Sequence, residues 1–325
     1  MAALFSLLLF TCVASLAAAA ALNNGVHFFS IQMTEADKTY NAPTLPELVK
    51  SLGLNALYDS VVKAKLADAL SSKGPFTLFA PTDAAFAAMP DWEKEATSNI
   101  TILTKILKYH VLNGKVLSSD LKNELLVPTL EGQEVRLNIY PNSVVTVQCS
   151  PIDLNNVDKL ASNGVLHEIS RVMLPPAGTV VDAIAACPVF QDLKLAVGVA
   201  GLDAALRAEG PYTVFAPTDK AFEQLPPGAL DNLLKNKTAL TEVLLYHVVK
   251  NTYCSAGLSS VSTLTTLGGK DLSIAVTEDA IKVNNAKVLP GAADGSVSNG
   301  VVHAIDAVLL PPEIRSRPVS QLNQL

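Results

Sequence analysis

Charge is scarce in this chain. Only 17% of its 325 residues are Asp, Glu, Lys or Arg, and its 24 basic side chains form no cluster along any stretch. With a formal net charge of -6, it offers phosphates no basic surface, so nucleic acid, heparin-like chains and anionic membranes are not expected partners. Catalytic signatures are missing too. There is no GxSxG elbow, no HExxH, no GxxxxGK phosphate loop and no GxGxxG after a strand, and Gly268-Gly269-Lys270 lacks the upstream glycine of a phosphate loop. Neither a CxxC pair nor an acidic loop of EF-hand spacing occurs, so structural zinc and calcium sites are not expected. The expectation is a protein with no enzymatic activity and no cofactor.

Cysteine is sparse as well. Cys12 lies in an apolar leader, leaving Cys149, Cys187 and Cys254. Three thiols allow one internal bridge, with three possible pairings and one cysteine left over for an intermolecular bond or a buried free thiol. The leader, residues 1–21, carries no charged side chain and ends in Ala17 to Ala21, which reads as a secretory signal cleaved near Ala19 to Ala21. An uncleaved anchor is the alternative, because the stretch lacks an early Lys or Arg and is nearly long enough to span a bilayer. No second apolar segment of membrane length follows, and the polar tail from Glu313 is unlike a glycolipid-anchor signal. A secreted protein with no membrane insertion after cleavage is therefore expected, in the extracellular space or matrix. Two sequons, Asn99-Ile100-Thr101 and Asn236-Lys237-Thr238, suit glycosylated surface positions.

What the chain has is apolar residues, 49% of the total, and a phrase written twice. "GPFTLFAPTDAAF" from Gly74 returns as "GPYTVFAPTDKAF" from Gly210, and "SNGVLHEISRVMLPP" from Ser162 returns as "SNGVVHAIDAVLLPP" from Ser298. A shift of 136 residues aligns Asp83 with Asp219, Asn163 with Asn299 and His167 with His303. This period is too long for a solenoid unit and long enough for a domain with its own core. Two tandem domains follow, divided at "LPPAG" from Leu174, where prolines stop a strand and glycine turns the chain.

Each copy opens on a helix signal, Thr44 with Glu47 and Thr179 with Asp182, spaced as capping boxes. Phe76 to Ala80 and Tyr212 to Ala216 are β-branched and aromatic runs suited to strands buried on both faces. Pro81 and Pro217 end those strands, and Thr82, Asp83, Thr218 and Asp219 supply the short oxygens that start the next helix. A catalytic or metal role for the aspartates lacks a neighbouring His or second acid. Farther on, Leu103, Ile106, Leu107 and His110 recur at i, i+3, i+4 and i+7, as do Leu240, Val243, Leu244 and His247. Each histidine thus shares a helix face with core leucines, beside Tyr109 or Tyr246; a satisfied core histidine and a partner-binding Tyr-His element are the two readings. After Asn163-Gly164 and Asn299-Gly300, a hairpin signal, come strands that carry His167 and His303. Two histidines per copy without a recurrent third ligand make a weak metal site, and none is expected. Helices come early in each copy and strands late, which argues for an α+β domain with an antiparallel sheet.

The paired phrases, the Tyr-His pairs and the two "SNGV(L/V)H" strands resemble the signature segments of the fasciclin domain family, over residues 43 to about 313. The resemblance implies fasciclin-type domains at 43–176 and 177–313, each a wedge-shaped β-sandwich with helices packed around it. A 22–42 extension without a repeat counterpart and a 314–325 polar tail flank them. Family members are mostly secreted or surface-anchored proteins of cell adhesion and extracellular matrix, often glycosylated. The Tyr-His segment is similar to the one credited in animal members with integrin-dependent attachment, which implies partner binding at Tyr109, His110, Tyr246 and His247. The expected partner is a cell-surface receptor or matrix protein. Two alternatives stay open: a carrier of an apolar, carotenoid-like pigment, and a passive matrix component built as a disulfide-linked oligomer.

Overall fold

The computed structural model describes residues 42–315. The leader, nearly all of the 22–42 extension and most of the polar tail lie outside the described residues.

Both repeats follow one plan. In the first, the helices Leu45–Ser51, Asn55–Lys63 and Ala67–Ser71 lead into the strand Phe76–Pro81. Glu47 accepts the Thr44 N–H at 2.7 Å and Asp182 accepts the Thr179 N–H at 2.9 Å, closing the opening turns that the sequence spacing predicts. Further helices end with Ile100–Tyr109, and the remaining strands follow.

Two four-stranded sheets result. One runs Val111–Asn113, Phe76–Pro81, Gly164–Ile169, Lys159–Ala161; the other runs Leu125–Pro128, Glu134–Ile139, Val145–Val147, Ser150–Pro151. The second repeat copies both, with Tyr212–Pro217 and Gly300–Ile305 at the centre of its first sheet. The expectation of a purely antiparallel sheet is corrected here. Phe76–Pro81 pairs with Gly164–Ile169 in parallel, Leu78 opposite Leu166, and Tyr212–Pro217 pairs with Gly300–Ile305 likewise. Parallel neighbours need a long crossover, and here the middle helices and the whole second sheet supply it.

The central strands are buried on both faces because three layers stack. Leu78, Ala80 and Leu166 pack among the helix residues Leu45, Val49, Leu57, Leu103 and Leu107. Phe79 and Ile169 turn the other way and pack with Tyr109 of the helix Ile100–Tyr109 and with Val135, Leu137 and Val147 of the second sheet. Successive strand residues point to opposite faces, so one short apolar run serves two cores.

Candidate functional site

The repeated motifs meet inside each domain. His110 ends the helix Ile100–Tyr109; its Nδ1–H donates to the Ile106 carbonyl at 2.8 Å, and its Nε2 accepts the Met173 N–H at 3.0 Å. His247 repeats this with Val243 and Leu309 at 2.8 and 2.9 Å. Burial pushes both imidazoles down to about 4, so they are neutral at pH 7. Tyr109 and Tyr246 donate their hydroxyls to the carbonyls of Glu134 and Asp271, each at 2.9 Å. All four side chains are at most 2% exposed. They pin the helix to the sheets, and what faces solvent beside them on Ile100–Tyr109 is Ile102, Lys105 and Lys108.

The corner phrase has a role that local spacing does not reveal. Thr82 caps its own helix through the Ala85 N–H at 3.2 Å, whereas Asp83 reaches back to the Ala56 N–H at 2.9 Å. Thr218 makes no side-chain cap, and Asp219 accepts the Asp192 N–H at 2.9 Å. Each aspartate thus closes the first turn of an earlier helix. Asn163 is a second stitch: it accepts the Leu45 N–H and donates to the carbonyls of Leu70 and Ser72, and Asn299 does the same with Val180, Leu206 and Ala208. Among the sequons, Asn99 is exposed and caps Ile100–Tyr109 through Oδ1, as Asn236 does for Lys237–Tyr246.

His167 and His303 lie against Phe79 and Phe215, ring centroids 5.7 Å apart in both pairs. The Nε2–H of His167 donates to the Val116 carbonyl at 2.9 Å and its Nδ1 accepts the Asp158 N–H at 3.2 Å; His303 uses Tyr253 and Asp294 at 2.8 and 3.1 Å. Ser118 and Ser255 bond to the carboxylates of Asp158 and Asp294. Despite the residue types, this is no nucleophile chain: the hydroxyl is held by the carboxylate, and both ring nitrogens are taken by backbone, leaving no base for a serine proton.

The two copies diverge at this cluster. Asp158 keeps its side chain 34% exposed, whereas that of Asp294 is 2% exposed beneath the first domain. There Arg171 donates to Asp294 at 2.6 Å, and Ser255 adds its N–H at 2.6 Å and its hydroxyl at 2.5 Å. Burial alone would raise this carboxyl; His303, Arg171 and Ser255 together outweigh it and hold it below its usual range. The Nδ1 of His303 lies 4.0 Å from this carboxylate; burial lowers the imidazole below its ordinary value, and Asp294 opposes that shift.

Asp294 belongs to a junction between the domains. Cys149 and Cys254, 105 residues apart, are joined by a disulfide with a Cα–Cα distance of 5.3 Å. Of the three pairings open to the sequence, this one leaves Cys187 free and partly exposed. Tyr140 donates its hydroxyl to the Thr252 carbonyl at 3.1 Å and accepts the Cys254 N–H at 2.9 Å. Glu124 accepts the Thr252 N–H at 2.6 Å while paired with Arg136 at 3.1 Å. Sequence reasoning missed Glu124, Arg136, Tyr140, Arg171 and Asp294. A signal existed, since neither bonded cysteine has a counterpart in the other repeat: Asn285 and Leu117 occupy the equivalent positions.

A separate groove of about 350 Å³ lies on the second domain, walled by Ala221, Leu225, Pro226, Val308 and Leu310, with Gln224, Asn285 and Arg315 as its polar members. Among the described residues, no helix is long and apolar enough to cross a membrane.

Comparison with known proteins agrees with this architecture. The fasciclin domain model matches residues 52–175 and 188–311. The chain is 34% identical to human periostin over 251 residues, 76% of this chain and 30% of periostin. It is 31% identical to the pig transforming growth factor-beta-induced protein ig-h3 over 255 residues, 78% of this chain and 37% of that protein. A 42% identity to protein sll1483 of a Synechocystis strain covers 44% of this chain and 79% of the relative. The chain therefore spans about a third of the length of the two animal relatives. With two matched segments, a duplicated three-layer architecture and both copies of every signature motif in place, this chain belongs to the fasciclin domain family and carries two copies of the domain.

Proposed function

We propose that this chain is a secreted, non-enzymatic adhesion protein that binds a cell-surface receptor or matrix protein through a fixed pair of fasciclin domains. The observation that carries the reading is the junction. A disulfide, two carboxylates and a buried tyrosine hold one domain against the other, so both present their outer surfaces at one spacing. Two weak contacts on one partner then act as a single avid attachment when that spacing matches. Family membership and the alignments with periostin and ig-h3 support an adhesive role.

In this reading Tyr109, His110, Tyr246 and His247 hold up a binding surface from beneath, and glycans on Asn99 and Asn236 mark the helical side. Thr82, Asp83, Thr218, Asp219, His167 and His303 are structural. The test is attachment of cells to surfaces coated with the folded chain, with an unfolded control. Saturable attachment to the folded form alone is expected, reduced by Lys105→Glu with Lys108→Glu at unchanged stability. Equal attachment to both coatings would sink the reading.

The groove beside Val308 favours a second reading, carriage of an apolar small molecule. A near-ultraviolet or visible absorption band in protein purified from its natural source, lost on organic extraction, would identify it.

A further inference from the structure

The junction gathers metal-binding atoms from both domains. The sulfurs of Cys149 and Cys254 and a carboxylate oxygen of Asp294 lie within 4.8 Å of one another. We propose that, once the Cys149–Cys254 bond is reduced, this junction binds one thiophilic divalent cation of the zinc type, with two thiolates and Asp294 as ligands, and that the ion replaces the disulfide as the clasp between the domains.

Reduction by a phosphine balances without further reagents. The phosphine attacks one sulfur, the S–S bond breaks, and water supplies the oxygen of the phosphine oxide and the two thiol protons. Metal binding then releases those two protons and leaves two thiolates. Around a tetrahedral ion, zinc–sulfur bonds of about 2.3 Å and zinc–oxygen bonds of about 2.1 Å place neighbouring donors roughly 3.3 to 3.8 Å apart. On reduction the two sulfurs therefore part from a bond of about 2 Å to about 3.8 Å, while the Asp294 oxygen, within 4.8 Å of both, closes by about 1 Å.

A fourth donor stands beside Cys149. Asn138 and Cys149 line the same void of about 10 Å³ between the domains, and the Oδ1 of Asn138 is buried with no hydrogen-bond partner among the described residues. A void of this size admits one water-sized group, so either the amide oxygen or a water completes four-coordination. Charge also balances. Two thiolates and Asp294 sum to three negative charges, against a dication and Arg171, which already holds Asp294. Thiolates select soft or borderline cations over Mg²⁺ and Ca²⁺. The first domain has Leu117 where Cys254 stands in the second, which restricts the site to one per chain.

The experiment titrates the phosphine-reduced full chain with Co²⁺ as the spectroscopic probe, then displaces it with Zn²⁺. Thiolate-to-cobalt charge-transfer bands and visible tetrahedral bands are expected to rise to one equivalent in reduced protein and to be absent from the oxidised form. Cys187→Ser should keep them, Cys149→Ser should abolish them, and Asp294→Asn should weaken binding about tenfold or more. Small-angle scattering reads the clasp directly: reduction expands the pair and Zn²⁺ restores its dimensions. No bands in the reduced chain, including a chain whose domains have come apart, overturns the proposal. Bands that survive in Cys149→Ser, or that vanish in Cys187→Ser, overturn it equally.

Discussion

Two buried imidazoles set how this protein responds to acid. His110 and His247 sit near 4 in the folded state, against about 6.5 in an unfolded chain. Between those values the unfolded chain binds protons that the folded one refuses, so stability is full above pH 6.5 and falls as pH drops toward 4. Each ring contributes on the order of 3 kcal/mol to that loss. Urea unfolding from pH 7 to 4 should show the fall, and a His110→Gln, His247→Gln chain should show a flatter slope from a lower starting stability; an unchanged slope would remove these rings from the account. Asn163 carries a comparable structural burden. Asn163→Ala strands the Leu45 N–H and the Leu70 carbonyl in the core, and a loss of about 2–4 kcal/mol is expected in the same assay. The recurrence of these residues is legible in one sequence. Their roles are not, because Asn163 finds Leu45 across 118 positions and His110 finds Met173 across 63.

At the scale of elements, local chemistry was informative wherever partners are near in sequence. Capping boxes, the proline-terminated strands and the leucine-lined helix faces all stand where spacing puts them. The parallel pairing of Phe76–Pro81 with Gly164–Ile169 was not legible, since a two-faced apolar strand looks the same in either direction. Helix-to-helix bonding by Asp83 escaped notice for a related reason: an aspartate at a helix start satisfies the local pattern whether or not it bonds there. Gly257 shows what the short helix Ser255–Leu258 adds to the junction. A Cβ there would sit 2.4 Å from the Tyr140 ring, so Gly257→Ala should push the domains apart and cost about 1–3 kcal/mol. Adding Tyr140→Ala should recover part of that cost, and strict additivity of the two losses would argue that the ring and the helix do not press together.

For the whole molecule, the disulfide closes a loop spanning 105 positions, for which chain entropy alone gives about 5 kcal/mol. Cys149→Ser is expected to lower the unfolding midpoint and to raise the radius of gyration as the pair loosens; identical scattering would mean that the polar contacts suffice. A native thiol titration should find at most one reactive group, Cys187, and any disulfide-linked oligomer should vanish in Cys187→Ser. Two domains were legible from duplication, yet how they meet was not, because a junction is built from the places where the repeats disagree.

The junction also joins unlike faces: the second sheet of the first domain receives the Cys254 loop and the Asp294 turn of the second. Head-to-tail contacts of this kind could propagate into a filament. The corresponding sheet of the second domain, however, presents Ser273, Thr277, Asn285 and Ala307 where the first presents Arg136, Tyr140, Cys149 and Arg171. The second domain thus lacks the charged, aromatic and thiol side chains with which the first grips its neighbour, so the contact that joins these two domains cannot be repeated by the same chemistry on that sheet.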